Sequence, residues 1–308
     1  MRPLITPKQL APHLGRPGWL VLDCRHALAD RDLGRRVYAE GHVPGSVFAD
    51  MDHDLCGPLA PGSGRHPLPA WPDFCAWLGR QGARRSTRIV AYDQAGGAFA
   101  ARLWWMLLAL GHAHAAVLNG GFARWEREGY PTETAVPAPL PLLYRAEPDP
   151  RMVMALDELQ AHLASPALLL VDARAGERYR GETEPIDPRP GHIPGAINLP
   201  YQDNLDGEGV FLSPARLRKR LLAAYGGTPP ERTVHYCGSG VTACHNLLAH
   251  AVAGLPVGRL YAGSWSQWCA DPARPAGLGP APRVEKPAPA DDPARAEPSA
   301  RPDVWPRG

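Results

Sequence analysis

VLDCR at residues 21–25 returns as LVDAR at 170–174, and GHVPGS at 41–46 returns as GHIPGA at 191–196. RIVAYD (88–93) answers TVHYC (233–237), and LNGGFARW (118–125) answers LYAGSWSQW (260–268). The four matches keep their order at offsets between about 143 and 150 residues. Order and spacing preserved together mark a duplicated domain. Within each copy, short β-branched or apolar runs predict strands: Trp19–Leu22, Arg88–Tyr92 and Ala115–Leu118, then Ala167–Val171, Thr233–Tyr236 and Arg259–Tyr261. Helical patterns such as Phe99–Leu110 and Val241–Val252 alternate with them. The expected fold class is α/β: two tandem domains, each a mostly parallel sheet with helices on both faces. Ligands of such sheets bind beyond the carboxyl ends of the strands.

The 308 residues suit two domains of ordinary size, and 44% hydrophobic against 21% charged content supplies each with a core. The first copy is assigned to residues 1–135 and the second to 151–278. A linker over 136–150 continues the Pro-rich stretch 131–142. From Gly279 the chain is rich in proline and poor in core-forming residues, so 279–308 is expected to be a disordered tail. The formal net charge is only +2 and no Lys/Arg stripe is interleaved with aromatics, so no nucleic-acid partner is expected. The longest apolar stretch, Leu103–Leu110, is too short to span a bilayer, and the N-terminal segment lacks the apolar core of a secretory signal. The expectation is a cytoplasmic chain with no membrane association. Its six cysteines (Cys24, Cys56, Cys75, Cys237, Cys244, Cys269) form no CxxC pair and read as free thiols, five of them as small buried hydrophobes.

Cys237 is the exception. It follows the run TVHY, precedes Gly238-Ser239-Gly240-Val241-Thr242-Ala243, and stands just before a helical pattern. Backbone N–H groups and the positive end of a helix dipole at that junction favour a thiolate, and the glycines allow backbone to approach whatever the sulfur carries. The other reading of the loop is a buried structural cysteine before a tight turn. The first copy has Asp93-Gln94-Ala95-Gly96-Gly97 at the equivalent place, with no thiol, as in duplicated enzymes with one active half.

CGSGVTA, the duplicated GH[VI]PG, ERYRGETEPIDPR (177–189) and the first copy's FADMD…GRHPLP together resemble the tandem-domain rhodaneses over about residues 5–275. The loop is most similar to that of the 3-mercaptopyruvate sulfurtransferases, because thiosulfate-preferring relatives carry basic residues where this chain has Gly238 and Ser239. The resemblance implies two rhodanese-like domains, no cofactor and no metal. It implies a small-molecule sulfur donor, a Cys237 persulfide, and a thiol acceptor such as thioredoxin or glutathione, or cyanide. It carries a Ser-His-Asp relay onto Ser239, His66 and Asp52, the donor's carboxylate and keto oxygen onto Arg178 and Arg189, and the rest of the cradle onto Gly238, Gly240, Val241 and Thr242. Ser239 reads equally well as a small residue that the turn requires. Two alternatives stand beside this reading: a thiosulfate sulfurtransferase on the same scaffold, and a non-catalytic persulfide-relay or regulatory module. A rhodanese-fold phosphatase would need an arginine six positions after the cysteine, where Ala243 stands.

Other polar residues read as structure. Arg174 has a counterpart, Arg25, in the inactive copy, as His192 has in His42, so these are expected to brace the fold. Arg180 is expected in a solvent-facing pair with Glu182 or Glu184. Asp50-Met51-Asp52-His53-Asp54 lacks the Gly and terminal Glu of a calcium loop, and no cluster has zinc spacing. His245 and His250, five apart, share no helix face, and Trp104, Trp105, Trp265 and Trp268 are expected in packing roles.

Overall fold

The computed structural model describes residues 1–164 and 167–280. All but the first two residues of the expected tail therefore lie outside the described residues. The first copy builds a five-stranded sheet from β1 (Leu4–Ile5), β2 (Trp19–Asp23), β3 (Val47–Phe48), β4 (Arg88–Tyr92) and β5 (Ala115–Leu118), in the order β1-β5-β4-β2-β3. The second builds four strands, β6 (Leu169–Asp172), β7 (Ile197–Asn198), β8 (Thr233–Tyr236) and β9 (Arg259–Leu260), in the order β7-β6-β8-β9. Every neighbouring pair is parallel. The second copy's counterpart of β1 shrinks to one parallel bridge, Val153 with Leu260.

The central strands β4 and β8 bury nearly every side chain, as a parallel sheet covered on both faces requires. Strand β2 runs one residue beyond its apolar run, and β6 spans 169–172 instead of 167–171, because pairing continues through Asp23↔Tyr92 and Asp172↔Tyr236. Each aspartate ends its strand inside a guanidinium fork. Arg25 Nη2 lies 2.6 Å from Asp23 Oδ2 and 2.7 Å from the Gly41 carbonyl; Arg174 Nη2 lies 2.6 Å from both Asp172 Oδ2 and the Gly191 carbonyl. His42 and His192 stack on Tyr38 and Tyr179 and bond the carbonyls of those same tyrosines. All four residues brace the fold twice over, as their repetition suggests.

The helices of the first copy are α1 (Pro7–Leu10), α2 (Leu33–Glu40), α3 (Trp71–Arg80), α4 (Ala100–Ala109) and α5 (Gly121–Arg127). Those of the second are α6 (Leu156–Ala164), α7 (Gly176–Arg180), α8 (Pro214–Tyr225), α9 (Ala243–Val252) and α10 (Ser264–Trp268). Helices α4 and α9 occupy equivalent places in the repeat, are almost wholly buried, and pack on each other. Apolar residues all round a helix mean burial on all sides. Here one core continues from Leu103, Trp105 and Leu107 of the first copy into Cys244, Leu247 and Leu248 of the second. Because α4 and α9 follow β4 and β8, this packing brings the loops that precede both helices to the domain boundary.

Residues 131–149 hold no helix and no strand, as the prolines demand. They nevertheless lie against the first copy. Leu142 N–H donates to the Gly79 carbonyl at 2.8 Å, the buried Tyr144 hydroxyl sits 3.0 Å from His112 Nδ1, and Asp149 N–H donates to Ala109 at the end of α4.

Candidate active site

Cys237 is the first residue past β8 and is 2% exposed. Its Sγ accepts the Gly240 N–H at 3.2 Å. Gly240 has φ +79°, and a Cβ there would run into the Ala262 carbonyl, so only glycine brings this N–H onto the sulfur. The N–H groups of Ser239, Val241 and Thr242 have no acceptor among the described residues. With Cys237 and Gly238, these residues line a cavity of about 230 Å³. Helix α9 begins at Ala243, two residues later than its apolar pattern suggests, which leaves Val241 and Thr242 in the cradle.

The first copy shows what this turn can hold. The buried Asp93, at the position of Cys237, accepts the N–H groups of Ala95, Gly97, Phe99 and Ala100 at 2.7–2.9 Å. Burial raises the Asp93 carboxyl and the four bonds oppose the rise. Gly96 repeats the left-handed turn of Gly240, with φ +67°. The same loop thus encloses a carboxylate in one copy and a sulfur in the other.

A further residue secures the loop. Ser264 has φ +54°, an uncommon conformation for a residue with a side chain. Its first-copy counterpart, Gly121 at φ +59°, has none to strain. Ser264 Oγ accepts the Cys237 N–H at 3.2 Å and donates to the Tyr261 carbonyl at 2.9 Å. The strain of one left-handed residue costs about 1–2 kcal/mol and is held by these bonds.

Asp52, His66 and Ser239 meet across the domain boundary. His66 Nδ1 lies 2.7 Å from Ser239 Oγ, and its Nε2 lies 3.6 Å from Asp52 Oδ1. Burial, then the charges of Arg102 and Arg65, lowers His66 to about 3, so its ring is neutral at physiological pH. Arg65, beside His66 in GRHPLP, is fastened to the second copy: its N–H donates to Ser266 Oγ at 3.1 Å, and its guanidinium pairs with Asp187.

Arg65 and Arg178 are two of the cationic side chains that line the cavity. Arg178, from α7, lines it while holding Glu184 at 2.5 Å and Asp187 at 3.2 Å. Arg65 lines it from the first copy, with Nη2 2.8 Å from where a Cβ on Gly238 would lie. Arg189, expected beside Arg178, turns elsewhere. Its Nη1 and Nη2 donate to the carbonyls of Pro272 and Arg274 at 3.2 and 2.7 Å, its guanidinium lies 5.9 Å from the Trp265 ring centre, and it does not line the cavity. The neutral loop expected from Gly238 and Ser239 is also corrected: Arg65 delivers positive charge to the space Gly238 leaves empty.

Arg102 is a second residue the sequence reading passed over. It is fully buried in α4 and donates from Nη1 to the Gly240 carbonyl at 3.1 Å and from Nη2 to the His66 carbonyl at 3.2 Å. One guanidinium from the first copy thus holds both the cysteine loop and the histidine. Its signal was a lone arginine inside the apolar pattern Phe99–Leu110; that of Arg65 was its place next to His66. Arg180 pairs with Glu182 at 2.6 Å on the exposed surface. His245 and His250 are core residues, stacked on Phe211 and bonded to Tyr225. Trp104, Trp105, Trp265 and Trp268 are buried. All six cysteines are free, and burial raises the other five thiols, Cys56 to about 11 and Cys244 to about 12.

The rhodanese-like domain model matches residues 6–128 and again 155–271. The chain belongs to the rhodanese-like family. It is a sulfurtransferase with two tandem rhodanese-like domains. It is 48% identical over 278 residues to a probable 3-mercaptopyruvate sulfurtransferase of Pseudomonas aeruginosa, covering 90% of this chain and 98% of that one. It is 38% identical over 262 residues to the putative thiosulfate sulfurtransferase SseB of Mycobacterium tuberculosis, covering 85% and 91%. The solved 3-mercaptopyruvate sulfurtransferase of Leishmania major superposes with a TM-score of 0.77 at 34% identity, over 87% of this chain and 74% of that one. Among the described residues, no helix of this rhodanese is long and apolar enough to cross a membrane.

Proposed function

We propose that the enzyme takes sulfur from 3-mercaptopyruvate and carries it as a persulfide on Cys237. The Cys237 thiolate attacks the donor's sulfur. The carbon–sulfur bond breaks, its electron pair leaves with pyruvate as the enolate, and the donor's thiol proton stays with the new persulfide until it ionises. A proton returned to the enolate carbon completes pyruvate. An acceptor thiol, with thioredoxin and glutathione as candidates, or cyanide then attacks the outer sulfur, giving a new persulfide or thiocyanate and freeing Cys237. Arg178 and Arg65 bind the donor's carboxylate and keto oxygen, since a guanidinium suits both by charge-assisted hydrogen bonds.

The observation that carries this reading is the alignment of Asp52, His66 and Ser239 at the rim of the Cys237 cavity, with His66 bonded to Ser239 at 2.7 Å and Asp52 3.6 Å behind its other nitrogen. A neutral imidazole of depressed basicity holds no standing charge. It suits a hydrogen-bonded relay that takes up the persulfide's proton as it ionises and lets Ser239 supply one to the enolate. The cradle N–H groups of Ser239, Val241 and Thr242 would hold the outer sulfur of the persulfide. A second reading, thiosulfate as donor, draws support from Arg65, which restores positive charge beside a neutral loop. The test is mass spectrometry after exposure to mercaptopyruvate without acceptor, with kcat/KM for both donors. One added sulfur on the Cys237 peptide and a higher kcat/KM for mercaptopyruvate are expected; sulfur on another cysteine overturns the proposal, and a higher kcat/KM for thiosulfate favours the second reading.

A further inference from the structure

Beyond the Nε2 edge of His66, the two copies enclose a second cavity of about 430 Å³. His26, Asp52 and His66 all line it. His26 follows Arg25 in the first copy, is 4% exposed, and uses only its backbone, whose carbonyl accepts the Gln94 side chain at 2.7 Å. Among the described residues, neither ring nitrogen of His26 has a hydrogen-bond partner, and the residue lines the cavity. Its ring stands edge-on to that of His66, with centres 6.4 Å apart. One ligand atom from each of His26, Asp52 and His66 falls within 4.8 Å of the other two. Sequence spacing hides this cluster, because the residues come from three separate loops.

Two imidazoles and one carboxylate converging on a point, with an open side toward a cavity, form a donor set for a borderline divalent transition metal such as Zn²⁺. Among the described residues, the one cation in contact with Asp52 from outside is Arg31, at 3.7 Å with an exposed side chain free to swing away. We infer that His26, Asp52 and His66 form a divalent transition-metal site, and that metal bound there locks the relay. A metal on His66 Nε2 obliges Nδ1 to carry the ring proton and donate it to Ser239 Oγ. His66 can then neither accept a proton from Ser239 nor pass one to Asp52, and Asp52 is withdrawn from it as a ligand. Metal binding stands on the cluster alone; the locking rests on the relay reading given above.

The experiment titrates metal-stripped protein with Zn²⁺ by calorimetry and equilibrium dialysis, and measures sulfur transfer with and without the metal. Because Cys237 can itself bind zinc, binding is also measured in Cys237→Ser, where one ion per chain is expected to remain. Co²⁺ in that variant should give a spectrum without a thiolate charge-transfer band. His26→Gln and Asp52→Asn should each weaken binding roughly 10- to 100-fold. Zinc should inhibit the wild type reversibly, with a chelator restoring turnover, while metal-free His26→Gln turns over as the wild type does and resists the same zinc. No stoichiometric binding to the wild type, or binding lost in Cys237→Ser and kept in His26→Gln, overturns the site and leaves the relay standing. Zinc held by His26 with turnover unchanged overturns the locking, and the relay reading with it.

Discussion

Replacing Arg102 with methionine should separate stability from activity. The guanidinium is wholly buried, its two bonds of 3.1 and 3.2 Å go to backbone carbonyls, and its Nε has no partner among the described residues. Hydrogen bonds from a charged donor contribute about 1.5–3 kcal/mol each, and removing both leaves the Gly240 and His66 carbonyls less satisfied. Against that loss stands the desolvation of a buried guanidinium, several kcal/mol, which methionine of similar length does not incur. The two sums nearly cancel, so the net change in stability should stay within about 2 kcal/mol, and Tm should move by less than roughly 8 °C for a chain of this size. Activity has no such compensation. Gly240 carries the N–H on Cys237 Sγ, and His66 carries the contact to Ser239; both lose the tie that fixes them to each other. A displacement of about 1 Å costs on the order of 100-fold in rate, so kcat/KM for mercaptopyruvate should fall roughly 30- to 300-fold. The measurements are steady-state kinetics and thermal melting of the same preparations. Activity within about threefold of wild type would refute the positioning argument, and a collapse of Tm alongside activity would show that Arg102 simply holds the domains together.

Cys237→Ser should abolish sulfur transfer while Tm stays near that of the wild type, and rapid alkylation at neutral pH should label Cys237 before the other five thiols; a faster Cys75 or Cys244 would refute this. Arg178→Ala should lower kcat/KM for mercaptopyruvate roughly 30- to 1000-fold by loss of charge-assisted bonds. Arg189→Ala should cost far less there and appear mainly as a lower Tm; equal losses in the two variants would restore Arg189 to the donor site. Ser264→Gly removes backbone strain together with the hydroxyl on the Cys237 N–H, so Tm should hold while kcat falls; a kcat unchanged from wild type would show that the hydroxyl is dispensable. Burial lowers His66 to about 3 and His112, His245 and His250 to about 4. The unfolded chain therefore binds protons below about pH 6.5 that the folded chain refuses. Stability is complete above that pH and falls through it toward about pH 4, by up to about 1.4 kcal/mol per unit for each ring. Melting at pH 5 should come clearly below melting at pH 7.5, and a flat Tm over that window would contradict the burial of these rings.

The duplication, both sheets and the position of Cys237 were legible because the repeat supplied its own comparison, copy against copy. The same comparison marked Arg174 and His192 as braces, since Arg25 and His42 do the same work in the copy that has Asp93 in place of Cys237. Side-chain direction was not legible. Arg178 and Arg189 stand in one short segment, and nothing in the letters tells that a trailing carbonyl at Arg274 captures the second of them. The neutral loop misled for a related reason, since Gly238 declares what the loop lacks but not that Arg65 from the other copy fills the space. Arg102 was hidden by its own context, one charge within a helix whose apolar pattern reads as core. His26, Asp52 and His66 lie too far apart in the chain for any spacing rule, and only the fold makes them neighbours.

The carboxylate of Asp93 gives the first copy a built-in occupant for its turn. On the proposed function, the second copy's cradle holds sulfur for only part of each cycle and must release it. In the first it is closed by four bonds and never turns over. That loop leads directly into α4, whose Arg102 bonds the Gly240 and His66 carbonyls. The silent copy is thus a mount for the other half, and emptying its turn with Asp93→Ala should be felt at Cys237 both through α4 and through Ala95, Ala98 and Phe99, which line the same cavity.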